Sequence, residues 1–541
     1  MIVARKMMRL AGLICLMPLV FGCHKSPPAP SGASAASAQN ATPSNTILRI
    51  HWAGRRNIAS DTNSADVMRI WKMPETVRLE AQTLDKLSAA PWHFLREETN
   101  KFSASLLRPL LEDLIEEETC VEMASPRTNS EPEMVIAVRL NDPRAALWQT
   151  NLTAVLESLT GTHPTNAQPF GSISHWSLTN FPTPRVIDFG RVGGWMLVGA
   201  AQDQNTLFAD AIDRVRRNQL PINAPTDKSW LEARADLSRF GGKHFSSNSP
   251  VISLTVTGED QKVRTLGELT FPHHGLLDLP AWKAPTNLIS SDLTSFTAIR
   301  GIKDLLGSSK LWQDLQAGEA PDQIFVWSAP DVPSATYFAV PCVSASNTVS
   351  KIGILASNTN SSWFAATHLL GSLKSGEATE LQWSGVPFLS PFLESTNVNG
   401  SAFIFGGLFK QETAETGPPP TLLPQLNQAN LVAYDWEMTS PRIKHLLYLG
   451  QLARVTMGKS QMPKNSLSLA WLMAASRWGA FSATEVTQTA PGQFTFKRKS
   501  SIGLTALELH LLADWLESPD FPLGLHTLSA KPAPIPPGVQ K

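Results

Sequence analysis

Met134-Val135-Ile136-Ala137-Val138-Arg139-Leu140-Asn141-Asp142-Pro143 is the stretch on which the fold reading turns. An apolar run broken only by Arg139 reads as a strand. Asn141 then offers a side chain to cap the first free N–H groups of a helix, and Pro143 suits a first helical turn, where its missing N–H is not needed. Leu147, Leu152, Val155, Leu156 and Leu159 follow at helical spacing, and Gly161 is placed to end the helix. Strand, cap and helix thus lie within 134–161.

Working towards the N-terminus, Ile47 to Trp52 alternates apolar and polar residues, the pattern of a strand with one solvated face. Residues 66–71 and 75–87 read as helices, the second entered at Pro74. Phe102, Leu106, Leu110, Leu111, Leu114 and Ile115 share a helical face, with Pro109 predicting a kink or a helix start. Towards the C-terminus two distant stretches match without a gap. Trp176-Ser177 is followed by Phe181, Gly193 and Gly199 at the spacing with which Trp383-Ser384 is followed by Phe388, Gly400 and Gly406. Downstream, Pro250 to Val256 parallels Asn430 to Trp436. Thr294 to Gly301 leads into a helix at 302–306, and 503–516 is an amphipathic helix. The expected fold is α+β: two related units, 130–315 and 322–520, with antiparallel or mixed sheets and packed helices, preceded by a helical N-terminal segment at 47–129. Residues 521–541 form a Pro-rich tail.

The leader carries a different kind of information. Arg5, Lys6 and Arg9 precede an uncharged apolar run from Leu10 to Phe21. That run is shorter than the roughly 20 residues of a spanning helix and fits the apolar core of an export signal. Val20-Phe21-Gly22-Cys23 follows. These residues resemble the lipobox of bacterial lipoprotein signals, with Gly22 and Cys23 at its last two positions, Val20 where leucine is usual and Phe21 bulkier than the family's third residue. The resemblance, confined to the leader, implies cleavage after Gly22 and acylation of Cys23, giving signal peptide 1–22. Two or three acyl chains satisfy the two-signal requirement for stable anchoring. Residues 23–46, rich in Pro, Ala and Ser, read as a flexible tether. His24, not Asp, follows the cysteine; by the same resemblance this implies the outer membrane or the periplasmic face rather than the inner membrane. The competing reading is an ordinary secretory signal with an incidental cysteine. The body resembles uncharacterised exported bacterial proteins of several hundred residues, without a named family.

Composition narrows the functions. The chain has 541 residues, 42% of them hydrophobic, with 46 basic and 46 acidic side chains. A balanced chain without a long basic run argues against nucleic-acid binding. Cys120 and Cys342 either pair in an oxidising compartment or stay separate buried thiols. The 16 tryptophans against three tyrosines read as core or half-buried sheet residues, or less simply as a carbohydrate-stacking platform. His-Glu-x-x-His, the P-loop, Gly-x-Ser-x-Gly and Cys-x-x-Cys are all absent, so no catalytic, metal or cofactor residue is assigned. His273-His274 reads as a pair of loop histidines. Asp435 and Glu437, two apart on an expected strand, would face one side, where they serve acid/base work with a third group or form an ordinary strand face. The expectation is a membrane-anchored envelope lipoprotein, attached through Cys23, that binds or scaffolds an envelope protein or polymer without catalysis. A periplasm-facing hydrolase with a dispersed site and a small-ligand-binding lipoprotein are the alternatives.

Overall fold

The computed structural model describes residues 45–95, 100–125, 132–163, 165–166, 173–178, 185–202, 204–220, 229–240, 247–330, 335–367, 372–375, 380–386, 389–410, 417–456, 466–518 and 521–522. Two compact units are distinguished. The N-terminal unit takes the described residues up to 265, together with 466–474 and those from 508 onward. The C-terminal unit takes 266–465 and 475–507.

The N-terminal unit carries β1 (Thr46–Trp52), β2 (Thr119–Ala124), β3 (Glu133–Arg139), β4 (Thr165–Asn166), β5 (Ser174–Leu178), β6 (Arg185–Val192), β7 (Trp195–Ala201), β8 (Ser229–Asp236), β9 (Val251–Glu259) and the start of β10 (Lys262–Thr270). The C-terminal unit carries β11 (Ser295–Arg300), β12 (Gln323–Ser328), β13 (Thr336–Pro341), β14 (Ser372–Ser375), β15 (Glu380–Ser384), β16 (Phe392–Val398), β17 (Ser401–Gly407), β18 (Leu431–Glu437), β19 (Ser482–Ala490) and β20 (Gln493–Ser500).

The α+β expectation is overturned. Among the described residues, twenty strands are assigned to one hydrogen-bonded sheet, antiparallel in every register described, and the helices serve as its covers. Among the described residues, the helices between 55 and 116 do not precede the sheet but connect two of its strands, because β1 lies hydrogen-bonded between β2 and β8. The cause is local. Turns such as Asp260-Gln261, with φ 52 and 60, and Asn399-Gly400, with φ 49 and 77, are left-handed, as tight antiparallel hairpins require. Strands joined this way pair directly and need no crossover helix.

Each unit follows the same strand path. In the N-terminal unit the order is β9-β8-β1-β2-β3-β7-β6-β5-β4. In the C-terminal unit it is β19-β18-β11-β12-β13-β17-β16-β15-β14. Two-residue turns set the register: Val192 pairs Trp195 across Gly193-Gly194, and Val398 pairs Ser401 across Asn399-Gly400. Counting outward from them, Ile187 matches Leu393, and their partners Trp176 and Leu381 match each other. The sequence match of Trp176 with Trp383 is therefore two residues out of register, although both lie on the same face of corresponding strands. Gly199 matches Phe405 by the same count, not Gly406. Phe181 and Phe388 lie outside the described residues. The parallel drawn between Pro250–Val256 and Asn430–Trp436 also shifts, because β18 holds the place of β8, not of β9.

The helices follow from familiar local rules. Asn141 accepts from Arg144 N at 3.0 Å, and Gly161, φ 65, closes the helix Asp142–Thr160 with its N–H on Glu157 O. That helix is tied to the helix Lys101–Glu116 by buried Asp113, which accepts from Arg144 Nη2 and from Trp148 Nε1, both at 2.8 Å. Pro109 sits inside the latter helix. Together the two helices cover Val138, Trp176, Phe189 and Met196. At the matched face of the C-terminal unit, the helix Ala345–Thr367 covers Cys342, Leu381, Leu393 and Ile404. Residues near the chain end complete the N-terminal unit. Trp471 Nε1 donates to Thr76 Oγ1 at 3.0 Å, and Lys86 Nζ donates to Leu516 O at 2.9 Å.

Candidate functional site

A buried gathering of ionisable groups in the N-terminal unit lies on the sheet face beneath the helix Thr206–Arg216. On β1, Arg49 and His51 point to that face; on β2, Cys120 and Glu122 do so, and Glu118 just precedes the strand. The register sets Arg49 against Glu122 and Arg234, and His51 against Cys120 and Glu232. The alternation along Ile47–Trp52 thus marks the polar face correctly but misplaces it. His51 is 5% exposed, and the Arg49 side chain 13%; the face is covered, not solvated.

Arg214, from the covering helix, grips Glu122 with both ends of its fork, Nη1 to Oε1 and Nη2 to Oε2, each at 2.8 Å. Its Nε faces Asp210 Oδ2 at 2.9 Å. Burial works against the charge of Arg214, but the bond and charge of Glu122 more than offset it, so its proton is held more tightly than usual. Arg49 fares differently. Burial, with Arg214 and Arg234 nearby, weakens its hold on the proton despite the attraction of Glu122. Further along, His51 Nε2 lies 3.0 Å from Glu118 Oε1, and Arg139 Nη1 donates to Glu118 Oε2 at 2.9 Å.

Cys120 opposite His51, with Glu118 beyond, has the residue types of a cysteine nucleophile, its base and an orienting carboxylate. The electrostatics run the other way. Burial first, then Glu118 and Glu122, push the Cys120 thiol far up, so it stays protonated, while a nucleophilic cysteine needs its thiolate favoured. Cys120 and Cys342 are both free and buried; of the two sequence readings, separate core thiols holds.

The other candidates from the sequence are occupied structurally. Asp435 and Glu437 do share a face of β18. Thr297 Oγ1 donates to Asp435 at 2.6 Å, and buried Glu437 accepts from Ala506 N at 2.6 Å, capping the helix Ala506–Glu517. His273 and His274 follow β10 in a turn, and the His274 ring lies edge-on to Phe271 at 5.1 Å. Tryptophans 92, 148, 176, 195, 230, 327 and 471 are buried, which makes them core residues. Among the described residues no group of His, Cys, Asp and Glu side chains could hold a metal ion, and no helix is long and apolar enough to cross a membrane. Two shallow hollows, of about 300 and 440 Å³, lie against Asp85, Lys101 and Arg108 and against Asp61, Arg69 and Lys72; neither reaches the ion cluster. Cys23 lies outside the described residues.

A scan against protein-family models finds none that matches the chain, and neither curated proteins nor solved structures yield a match. Any functional reading therefore rests on the residues themselves.

Proposed function

We propose that the chain is a lipid-anchored protein of the bacterial cell envelope, attached through Cys23, whose sheet-rich body binds or scaffolds an envelope protein or polymer without catalysis. The observation that carries this reading is the leader: a basic start, an apolar run from Leu10 to Phe21, Gly22-Cys23, and then a nearly uncharged Pro/Ala/Ser tether. His24 after the cysteine favours the outer membrane or the periplasmic face. The body lends support through how its reactive groups are spent. Cys120 is held as a thiol, and Asp435 and Glu437 accept bonds that hold strands and a helix in place. None is left poised for acid/base or nucleophilic work.

Palmitate labelling and mass spectrometry of the N-terminal peptide test the proposal. The wild type carries acyl chains on an N-terminal Cys23 and sediments with membranes, whereas Cys23→Ser loses the label and remains uncleaved. An unmodified cysteine, or a Cys23→Ser chain that is still cut after Gly22, overturns it.

A further inference from the structure

The ion cluster beneath the helix Thr206–Arg216 balances in charge but not in hydrogen bonds. Arg49, Arg214 and Arg234 stand against Glu122, Asp210 and Glu232, the last opposite His51. The donors are shared unequally. Arg214 takes both oxygens of Glu122 in one fork, which leaves Arg49 Nε at 3.5 Å from Oε1, too long for a hydrogen bond. Nε and Nη2 of Arg49 are buried and have no acceptor. A buried guanidinium with free donors is costly, and planar donors with a second arginine beside them are the chemistry that recognises oxyanions in a two-pronged grip. Arg234, directly opposite Arg49 in the register, is exposed and marks the side of the cluster that meets solvent.

We propose that Arg49 and Arg234 form a binding site for a small, freely diffusing oxyanion of the phosphate class. The Arg49 side chain, 13% exposed, lies too deep for a headgroup held in a flat membrane, so the anion must be free. The site does not depend on the lipid anchor, and each can fail without the other.

The test is thermal unfolding of the full chain in a neutral detergent, titrated with inorganic phosphate at constant ionic strength. Parallel arms use acetate, chloride and phosphatidylglycerol vesicles. The wild type shows a saturable rise in Tm with phosphate, and none with chloride or vesicles; a smaller rise with acetate follows from its single charge. Arg49→Met abolishes the response. Arg234→Gln, at an exposed position that does not threaten folding, weakens apparent affinity by about tenfold or more, as expected for losing a charge-assisted hydrogen bond. Arg264→Gln, a surface arginine paired with Glu259, responds like the wild type. No saturable rise in the wild type, or an unchanged response in Arg234→Gln, means that water alone serves Arg49 and overturns the proposal. A rise with vesicles equal to that with phosphate overturns the choice of a free anion.

Discussion

Three matched positions separate the two units most sharply. Through the pairings of β7 with β3 and of β17 with β13, Val135 corresponds to Ala339. Their partners carry the correspondence inward: Glu122 matches Phe325, Arg49 matches Ala298, and Arg234 matches Tyr434. One unit places a carboxylate and two arginines where the other places two aromatics and an alanine. In the C-terminal unit these positions belong to an apolar cluster with Phe296, Trp327 and Phe405. Its polar rows lie on the opposite face, where Thr297, Asp435, Thr484 and Arg498 follow one another across adjacent strands. A strand path set by tight turns and backbone pairing thus tolerates exchange of polar and apolar faces, provided each buried charge finds a partner.

Removing that partner gives the largest expected effect. Glu122→Ala leaves Arg214 and Arg49 buried without their anion and destabilises the N-terminal unit by about 3–5 kcal/mol. Hydrogen exchange of β2 amides reports it, while β12 amides serve as the control from the matched strand. The triple change Arg49→Met, Glu122→Leu and Arg214→Met, which imitates the apolar choice of the C-terminal unit, restores stability to within about 1 kcal/mol of the wild type or beyond it. If Glu122→Ala alone changes β2 protection by less than about 1 kcal/mol, the cluster is solvated and the contrast between the faces collapses.

The tryptophans test the register. Trp176 is 1% exposed and stacks on Phe189 with ring centroids 5.3 Å apart; Trp383, two residues out of register, is half-buried. Trp176→Ala costs about 3–5 kcal/mol, as for a fully buried aromatic, and Trp383→Ala less than about 2 kcal/mol. Equal losses would restore the in-register match that the turns contradict. Leu381, the structural counterpart of Trp176, is 3% exposed, and Leu381→Ala belongs with the larger losses, at about 2–5 kcal/mol.

The local rules were legible in the sequence and the long-range ones were not. The cap at Asn141 and the stop at Gly161 depend on neighbours a few residues away, and the structure has both where the chemistry puts them. The ion cluster depends on Arg49, Glu122, Arg214 and Arg234, which only strand pairing and one covering helix bring together. The signal that existed was period two: Arg49 with His51, and Glu118 with Cys120 and Glu122. It identifies a shared face but not whether water or a helix lies over it. The gap-free tryptophan match misled because spacing in sequence ignores the turns that fix register, and a slip of one residue reverses every side chain.

Those turns supply a smaller prediction. Gly400 has φ 77, while Gly194, its counterpart, has an ordinary backbone and open space around its Cα. Gly400→Ala costs about 1–2 kcal/mol, the strain of an L-residue held left-handed; Gly194→Ala changes little. Global unfolding in urea, measured for each variant against the wild type, checks the pair. Equal effects would mean that the two turns do not differ in strain.

The smallest effect concerns pH, and the units should respond with opposite sign. Burial works against the charge of Glu118, but the hydrogen bond from His51 and the charge and hydrogen bond of Arg139 outweigh it, and the carboxyl lies below its ordinary range. Such a group stabilises the fold above its unfolded pKa, and that contribution is lost as pH falls through the lower folded value. In the C-terminal unit Asp322 and Glu394 lie above their ordinary range, each chiefly because burial disfavours the charged form. A raised carboxyl opposes the fold at neutral pH, and the opposition is relieved as pH falls through the raised value. Acidifying from neutrality through about pH 4, the ordinary carboxylate range, and on below it should therefore loosen β2, next to Glu118, before β12, next to Asp322. Glu118→Gln flattens the response of β2, and Asp322→Asn removes the relief at β12. Protection that decays in parallel in both strands, or first in β12, would show that the charges buried on one face of the N-terminal unit do not govern its acid response.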